Sequence, residues 1–213
     1  AAELDRLNRE RRDVETTMQE EALADIAAAA DATGAFTLCL FRAEWHQGVV
    51  GIVASRLKDK YHRPAIVFAR GTGGELKGSG RSIAGFHLRD ALDLVAKRAP
   101  GVVARFGGHA YAAGLSIAET DLAHFAATFE AVAREQLSPA ELARIRESDG
   151  ELAPSELTLE LAQRLAGQVW GQGFPPPSWD AVFEVAEQRI VGGRHSKLVL
   201  RRPGPGLEAG YAA

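Results

Sequence analysis

The sequence predicts an α/β fold in which a mixed sheet is flanked by helices. Short apolar segments alternate with helical segments over residues 34–137, the pattern of an α/β layer fold with a mostly buried sheet. Glycine and proline mark several of the junctions between these segments. Hydrophobic residues make up 46% of the 213 residues and charged residues 25%, values that are typical of a folded protein.

The predicted elements begin with a long helix over residues 2–33, which hold no Gly or Pro and carry apolar residues at roughly helical spacing. Its other residues are largely charged, so its apolar stripe is narrow, and such a helix can bridge two domains. The sequence then predicts, in order, strand 36–41, helix 49–60, strand 65–69, strand 75–79, helix 88–99, strand 114–118 and helix 121–137.

The composition of the sequence changes after residue 137. Residues 138–151 are polar and predicted to be helical in part, and a short helix is predicted over 157–165. Three successive prolines, residues 175–177, stiffen the next connection. Residues 181–190 and 197–202 predict two strands joined by a turn at Gly192-Gly193, the start of a β domain. Two strands alone are marginal in water, so we expect this region to be incomplete or to lean on the first domain.

Charge is distributed unevenly along the chain. Residues 34–118 hold twelve basic and five acidic side chains, net +7, between segments of net −5 (1–33) and −6 (119–176). A basic block of this size is an electrostatic candidate for a polyanion, while a solvated basic face is the alternative that charge alone leaves open.

Other features bear on the compartment. No apolar run approaches the roughly 20 residues needed to span a bilayer, and no signal-peptide pattern is visible, so no membrane association is expected. Cys39 is the single cysteine, which excludes an intramolecular disulfide and a zinc-cysteine cluster. Its place in an apolar run predicts a core residue, in keeping with a reducing cytoplasm.

Three glycine-rich segments inside the basic block are candidate binding sites. The first runs from Trp45 and His46 into the helix predicted at 49–60, whose free N–H groups suit a phosphate or carboxylate. His46 either donates to a phosphate or caps the helix. In the same segment, Gly48 and Gly51 would permit a ligand to approach the backbone closely.

The second segment, Gly78-Ser79-Gly80-Arg81-Ser82, combines a guanidinium fork with hydroxyl donors in what we interpret as a small loop. The alternative is a polar turn with Arg81 in a structural salt bridge. In the third segment, Gly107-Gly108 and Ala112-Ala113-Gly114 surround His109 with small residues that leave room for a ligand. A purely structural histidine is the alternative there.

These segments carry a family resemblance. Gly-Gly-His-x-x-Ala-Ala-Gly, residues 107–114, resembles the signature of the DHH-associated domain of the DHH phosphoesterase superfamily. Residues 45–56 and the helix segment 7–12 are more specific and resemble the RecJ family, as do residues 149–152, 156–162, 170–175 and 192–198 near the entry to its OB-fold domain. The resemblance covers nearly the whole chain in order. Residues 203–213 do not finish an OB-fold, because a five-stranded barrel needs more chain.

The resemblance implies a division into three parts: a linker helix over 1–33, a DHH-associated substrate-binding domain over 34–137, and the helical entry and first strands of a truncated OB-fold domain over 138–213. It implies the substrate-gripping part of a metal-dependent 5′→3′ exonuclease specific for single-stranded DNA, acting in DNA repair and recombination. In that family manganese or magnesium is bound in an amino-terminal domain that includes an Asp-His-His triplet. This sequence has no such triplet, so we expect the chain to bind no metal and to be inactive alone.

Residue roles also follow from the resemblance. Ser79 and Arg81, with Ser82 beside them, fall where the family holds the 5′-phosphate or adjacent backbone, and His109 falls where it contacts the phosphate near the metal pair as a catalytic residue. The other expected substrate contacts are Trp45, His46, Gly107 and Gly108. The expected partner is single-stranded DNA with a 5′ end, with a single-strand-binding protein and a helicase as family expectations only. Two alternatives stay open: another DHH-family oligonucleotide phosphodiesterase, and a non-catalytic nucleic-acid-binding module.

Overall fold

The computed structural model describes residues 2–28, 34–145, 147–171, 174–193 and 195–202. The chain divides into two compact units, Ala1–Arg144 and Ile145–Ala213. The predicted α/β class is confirmed, because the first unit is built on a five-stranded mixed sheet flanked by helices. None of the helices in the described ranges is both long and apolar enough to cross a membrane.

The first unit has nine principal elements within the described ranges. In chain order they are α1 (Ala2–Ala28), β1 (Leu38–Phe41), α2 (Val50–Tyr61), β2 (Ala65–Arg70), β3 (Leu76–Arg81), α3 (Leu88–Arg98), β4 (Val103–Gly108), β5 (Ala112–Ile117) and α4 (Leu122–Gln136). The sheet order is β1-β2-β3-β5-β4, with β1 parallel to β2 and the other pairs antiparallel. The predicted helix 2–33 is observed as far as Ala28, and residues 29–33 lie outside the described residues.

Each face of the sheet has its own apolar core, as strand alternation requires. Alternate residues of β2, such as Ile66 and Phe68, join α3 and α4 in one buried cluster. The intervening residue Val67 joins α1 and α2 in a second cluster on the other face. Here β2 reads as a continuous apolar run because both of its faces are buried. The first cluster includes stacked Phe125 and Phe129 rings, whose centroids are 5.7 Å apart.

Helix α1 packs against the rest of the unit through its second half. Met18, Ala22 and Ile26 are buried in the cluster beneath α2, whereas Leu4 and Leu7 in the first half are exposed. Two polar contacts reinforce this packing: Trp45 Nε1 donates to Glu21 at 2.7 Å, and Arg42 pairs with Asp25. The Arg42 hydrogen bond holds the pKa of Asp25 below its ordinary value.

The turn that leads into β1 is held by one carboxylate of α4. Glu130 accepts hydrogen bonds from the backbone N–H groups of Phe36 and Thr37 and from Thr37 Oγ1, at 2.7–3.1 Å. Arg134, one turn along α4, pairs with Glu130 at 2.8 Å and lies over the Phe36 ring. Cys39 packs against the neighbouring core, where burial raises the pKa of its thiol.

The second unit is smaller and more open. It contains α5 (Leu159–Ala166), capped by Thr158, whose side chain accepts from the Leu161 N–H, and an antiparallel hairpin of β6 (Glu184–Val191) and β7 (His195–Arg201). Gly192 and Gly193 in the hairpin turn have φ of 61° and 74°, a conformation that glycine adopts without steric cost. The partial helix predicted over 138–151 was wrong for the described residues, which form turns and irregular structure there.

Replacing Glu130 with Ala should lower the free energy of unfolding of the first unit by about 3 kcal/mol, since it leaves the Phe36 and Thr37 donors without their charged acceptor. Denaturant unfolding followed by circular dichroism measures the change. Glu135→Ala, on the same helix, is the control, because Glu135 pairs with Arg98 at the exposed surface. Equal losses for the two variants would show that Glu130 has no special role.

Candidate functional site

The side chains of Ser79 and Arg81 project from one face of β3. Both positions are partly buried, whereas the alternate glycines Gly78 and Gly80 turn to the opposite face. A Cβ at Gly78 would lie 2.6 Å from the Phe68 ring, and one at Gly80 would lie 2.8 Å from a Leu88 methyl carbon. The interpretation of residues 78–82 as a small loop was therefore wrong in part. Residues through Arg81 are strand, and the glycines make room for the core rather than for flexibility.

The start of α2 lies directly against Ser79 and Arg81. A Cβ at Gly51 would be 3.0 Å from both Arg81 Nη2 and Ser79 Oγ, so glycine allows this contact. Helix α2 begins at Val50 without a side-chain cap, and its first N–H groups carry partial positive charge. Two of the three segments singled out in the sequence therefore meet at this point.

The third segment continues the same surface across the sheet. Ser79 pairs with Gly114 of β5, and Gly114 pairs with Gly107 of β4, so the three lie in one row. Gly107 and Gly114 are exposed, and a Cβ at Gly107 would meet no atom within 4 Å. Beyond β3 the row of Gly114 and Gly107 is therefore an open floor without side chains. We call the surface formed by Ser79, Arg81, Gly107, His109 and Gly114 the glycine shelf.

His109 lies at the far edge of the shelf. Its backbone N–H donates to the Ala112 carbonyl at 2.8 Å, and Ala112 pairs with Arg81 in the sheet. Two strand spacings separate the main chains of His109 and Arg81, about 10 Å. The preceding residue, Gly108, has φ of 145°, and a Cβ there would lie 2.4 Å from the Ala112 carbonyl oxygen. Only glycine fits at Gly108, which explains the second glycine of the motif in structural terms.

Arg81 is the main positive charge of the shelf. Its Nη1 donates to Ser79 Oγ at 3.2 Å and to the Gly80 carbonyl at 2.8 Å. Among the residues that the structure describes, no carboxylate lies within 4.0 Å of this guanidinium, in contrast to Arg42, Arg70 and Arg98. A partly buried guanidinium without a carboxylate partner favours an anionic ligand, since its charge is not otherwise compensated.

The other candidate residues take different positions. Trp45 is buried and its indole N–H is bonded to Glu21, so it supports α1 and α2 rather than an exposed cleft. Ser82 is also buried, and its hydroxyl donates to the Phe86 carbonyl at 2.7 Å. The exposed ring of His46 accepts the Gly48 N–H through Nδ1 at 3.1 Å, a contact that precedes α2 and does not cap it, because the N-cap residue is Val49 and no side chain caps the helix. Phosphate contacts of these three residues stay predictions.

Sequence reasoning did not select Lys77 or Arg105 as site residues, although both share the face of the shelf. Lys77 precedes Ser79 by two residues on β3, and its partner on β5, Ser116, pairs in turn with Arg105 on β4. The available signal was the basic residue directly before Phe-Gly-Gly-His. Strand β4 itself was not predicted, so the face of Arg105 could not be assigned.

The metal implied by the family resemblance does not fit the residues present. Within the described ranges, no group of three or more His, Cys, Asp or Glu side chains is placed to hold a metal ion. His109 is the one histidine of the shelf, and the Asp-His-His triplet expected of the metal-binding domain is absent from the sequence.

Two known domain families match the chain. Residues 26–135, just over half of the chain, match the DHHA1 domain, and residues 148–211 match the RecJ OB domain. The first match contains the whole shelf, and the second covers the β6–β7 hairpin. The chain belongs to the RecJ family.

Several RecJ relatives align with almost all of the chain. The single-stranded-DNA-specific exonucleases RecJ of Dickeya dadantii and Escherichia coli are each 47% identical over 97% of this chain. A crystal structure of RecJ in complex with Mg²⁺ from Thermus thermophilus superposes with a TM-score of 0.69 at 32% identity over 93% of this chain. The chain spans 36% of the length of the two exonucleases and 30% of the Thermus chain.

The two glycines of the Gly-Gly-His motif should respond differently to substitution. Gly108→Ala should lower the free energy of unfolding by about 2–5 kcal/mol, because it combines a positive φ with a backbone clash. Gly107→Ala should change it by no more than about 0.5 kcal/mol, because its Cβ meets open space. Thermal and denaturant unfolding of both variants tests this. The description of the shelf would be wrong if Gly107→Ala were as unstable as Gly108→Ala.

Proposed function

We propose that this chain is the substrate-binding portion of a single-stranded-DNA-specific 5′→3′ exonuclease that releases nucleotides from a 5′ end by phosphodiester hydrolysis. The proposed setting is DNA repair and recombination in the cytoplasm. The observation that carries the proposal is the environment of the Arg81 guanidinium. It lies beside an open row of glycines and has no carboxylate partner in the described part of the chain. The RecJ relatives, which are exonucleases specific for single-stranded DNA, support the same substrate.

The shelf suits a terminal phosphate for reasons of charge and space. A phosphate monoester carries about −1.5 to −2 charges at neutral pH, whereas an internal diester carries one, so a guanidinium favours the terminal group. Ser79 accepts a hydrogen bond from Arg81, which orients its hydroxyl hydrogen away from the guanidinium and toward a ligand. The uncapped start of α2 adds N–H donors at the same point.

Polarity and lack of sequence preference follow from this arrangement. Only a chain end presents a terminal phosphate, so a strand held at Arg81 is positioned by its 5′ end. The glycine floor allows the sugar-phosphate backbone to approach the sheet closely without meeting side chains. Phosphate contacts fix the register of the strand and carry no sequence information. In the whole enzyme we assign His109 to the phosphate next to the metal pair, a role that rests on the family resemblance and on its position at the edge of the shelf.

The second unit adds candidate contacts to the DNA. Arg189 of β6 and Lys197 of β7 are exposed and directly paired across the hairpin, and like charges in this position destabilise a hairpin unless an anion lies between them. We therefore assign these two residues and Arg201 to phosphate contacts of an OB-type surface. Arg202 is instead paired with Glu151 at 2.9 Å, and Arg194 lies outside the described residues.

The alternatives have less support. A DHH-family enzyme that degrades short oligonucleotides would not account for the RecJ OB domain over residues 148–211. A stand-alone binding module would not account for the alignment with exonucleases over 97% of the chain. As partners of the whole enzyme we propose, on the resemblance alone, a single-strand-binding protein and a helicase, and as its metal manganese or magnesium. Crystal structures of RecJ with Mg²⁺ and with Mn²⁺ support that choice of metal.

Arg81→Ala should weaken binding of a 5′-phosphorylated oligonucleotide about tenfold or more, and binding of the 5′-hydroxyl form clearly less. The reason is that only the first oligonucleotide carries the doubly charged phosphate that Arg81 is proposed to bind. Fluorescence anisotropy at fixed salt measures both affinities. Arg89→Ala is the control, since Arg89 is an exposed arginine of α3, on the opposite face of the sheet. Equal losses for the two oligonucleotides would refute the 5′-phosphate assignment.

The 213-residue chain alone should not hydrolyse single-stranded DNA in the presence of Mn²⁺, because the metal-binding part of the enzyme is not encoded in it. Release of nucleotides from a 5′-labelled strand is the measurement. Arg81→Ala serves as the control for contamination, because a contaminating nuclease does not depend on this residue. Hydrolysis that follows the protein through purification and falls in the Arg81→Ala sample would contradict the prediction.

A further inference from the structure

A β-bulge in β4 determines where Arg105 points. Val103 pairs with Ile117, whereas Arg105 pairs with Ser116, so two steps on β4 match one step on β5. Residues two apart on a regular strand share a face, and the extra residue of a bulge breaks that rule. Val103 consequently packs against the core on the α3 side, while Arg105 lies on the face of the glycine shelf.

The bulge therefore keeps the charged side chain of Arg105 out of the apolar core. A regular strand in the register of Val103 would direct Arg105 into the apolar cluster that contains Val102 and Ile117. Instead the side chain is exposed, two residues from Gly107 along the same edge strand. In the described part of the chain no carboxylate lies within 4.0 Å of it, although Glu75 is near enough for its charge to be felt. Bulges commonly re-aim a side chain beside a functional site.

Arg105 stands at the end of a polar row parallel to the shelf. The row continues through Ser116 to Lys77, whose ammonium donates to Ser116 Oγ at 3.1 Å and pairs with Glu75 at 2.8 Å. The Lys77 hydrogen bond is the main reason that the pKa of Glu75 lies below its ordinary value. Lys77 is thus compensated by Glu75, and Arg105 supplies the available positive charge of this row.

Arg105 lies within reach of a phosphate next to one held at Ser79. It is two residues along the strands and two strand spacings across the sheet from Ser79, so about 12 Å separates their main chains. The long Arg105 side chain can span about half of this distance, which leaves a separation comparable to that of successive phosphates in an extended single strand. Gly114 and Gly107, in the row of Ser79, place no side chain in the path of the strand.

We propose that Arg105 forms a second phosphate subsite, which binds the internucleotide phosphate next to the terminal phosphate held by Ser79 and Arg81. The inference rests on the proposed function and extends it from one phosphate to two. It assigns to Arg105 a role in holding the strand along the shelf, so that the terminal nucleotide and the next one are fixed together.

The test compares ligands that carry one and two phosphates. Arg105→Ala should leave binding of thymidine 5′-monophosphate unchanged, while weakening binding of 5′-phosphorylated di- and octathymidylate about 5- to 20-fold, the effect of one charge-assisted contact. The slope of log K against log salt for the octanucleotide should fall by about 1. Replacing the first internucleotide phosphate with a neutral methylphosphonate should weaken binding to the unaltered chain and have little further effect on Arg105→Ala.

Two controls separate this inference from the proposed function. Arg89→Ala removes the same charge from the opposite face and should leave all four affinities unchanged, and circular dichroism confirms that each variant is folded. If the unaltered chain binds none of the phosphorylated ligands, the proposed function fails and the inference fails with it. The other case is that the chain binds these ligands and Arg81→Ala weakens their binding. Only the second subsite is then overturned if Arg105→Ala weakens binding of the monophosphate as much as that of the longer ligands, or weakens binding of no ligand.

Discussion

The antiparallel register of β3, β5 and β4 is the constraint on which the rest of this molecule depends. It places Ser79, Gly114 and Gly107 in one row and Arg81, Ala112 and His109 in the next. Because strand side chains alternate, the same register sends Leu76, Leu115 and Phe106 to the other face, where they join the larger core. A shift by one residue would bury the arginine and expose the core, so folding and binding are specified by the same pairing.

The glycines of the three segments are needed for different physical reasons. Gly78 and Gly80 make room for core side chains, and Gly108 is required by its backbone conformation. Gly51, in contrast, lets α2 approach Arg81, and Gly107 has no steric neighbour at all. The absence of a side chain at Gly107 has no steric cause in this unit, and the proposed DNA backbone on the shelf would explain it.

Much of the fold was predictable from the sequence, because periodicity and glycine or proline punctuation marked the elements of the first unit. Strand β4 was missed because its bulge breaks the two-residue alternation and its last residues are Gly-Gly. The same gap hid Arg105, whose face depends on the bulge. Ser79, Arg81 and His109 were selected as candidates through their motifs, but the burial of Trp45 and Ser82 depends on α1 and on the turn before α3, contacts that local sequence does not reveal.

The most direct test of the shelf is a titration of the isotope-labelled chain with a 5′-phosphorylated dinucleotide, observed by amide chemical shifts. The account predicts saturable changes at Gly51, Ser79, Arg81, Gly107 and Gly114, with the amides of α3 and α4 on the opposite face unchanged. Changes centred on α3 and α4, or none on β3 and β4 at saturating ligand, would contradict it.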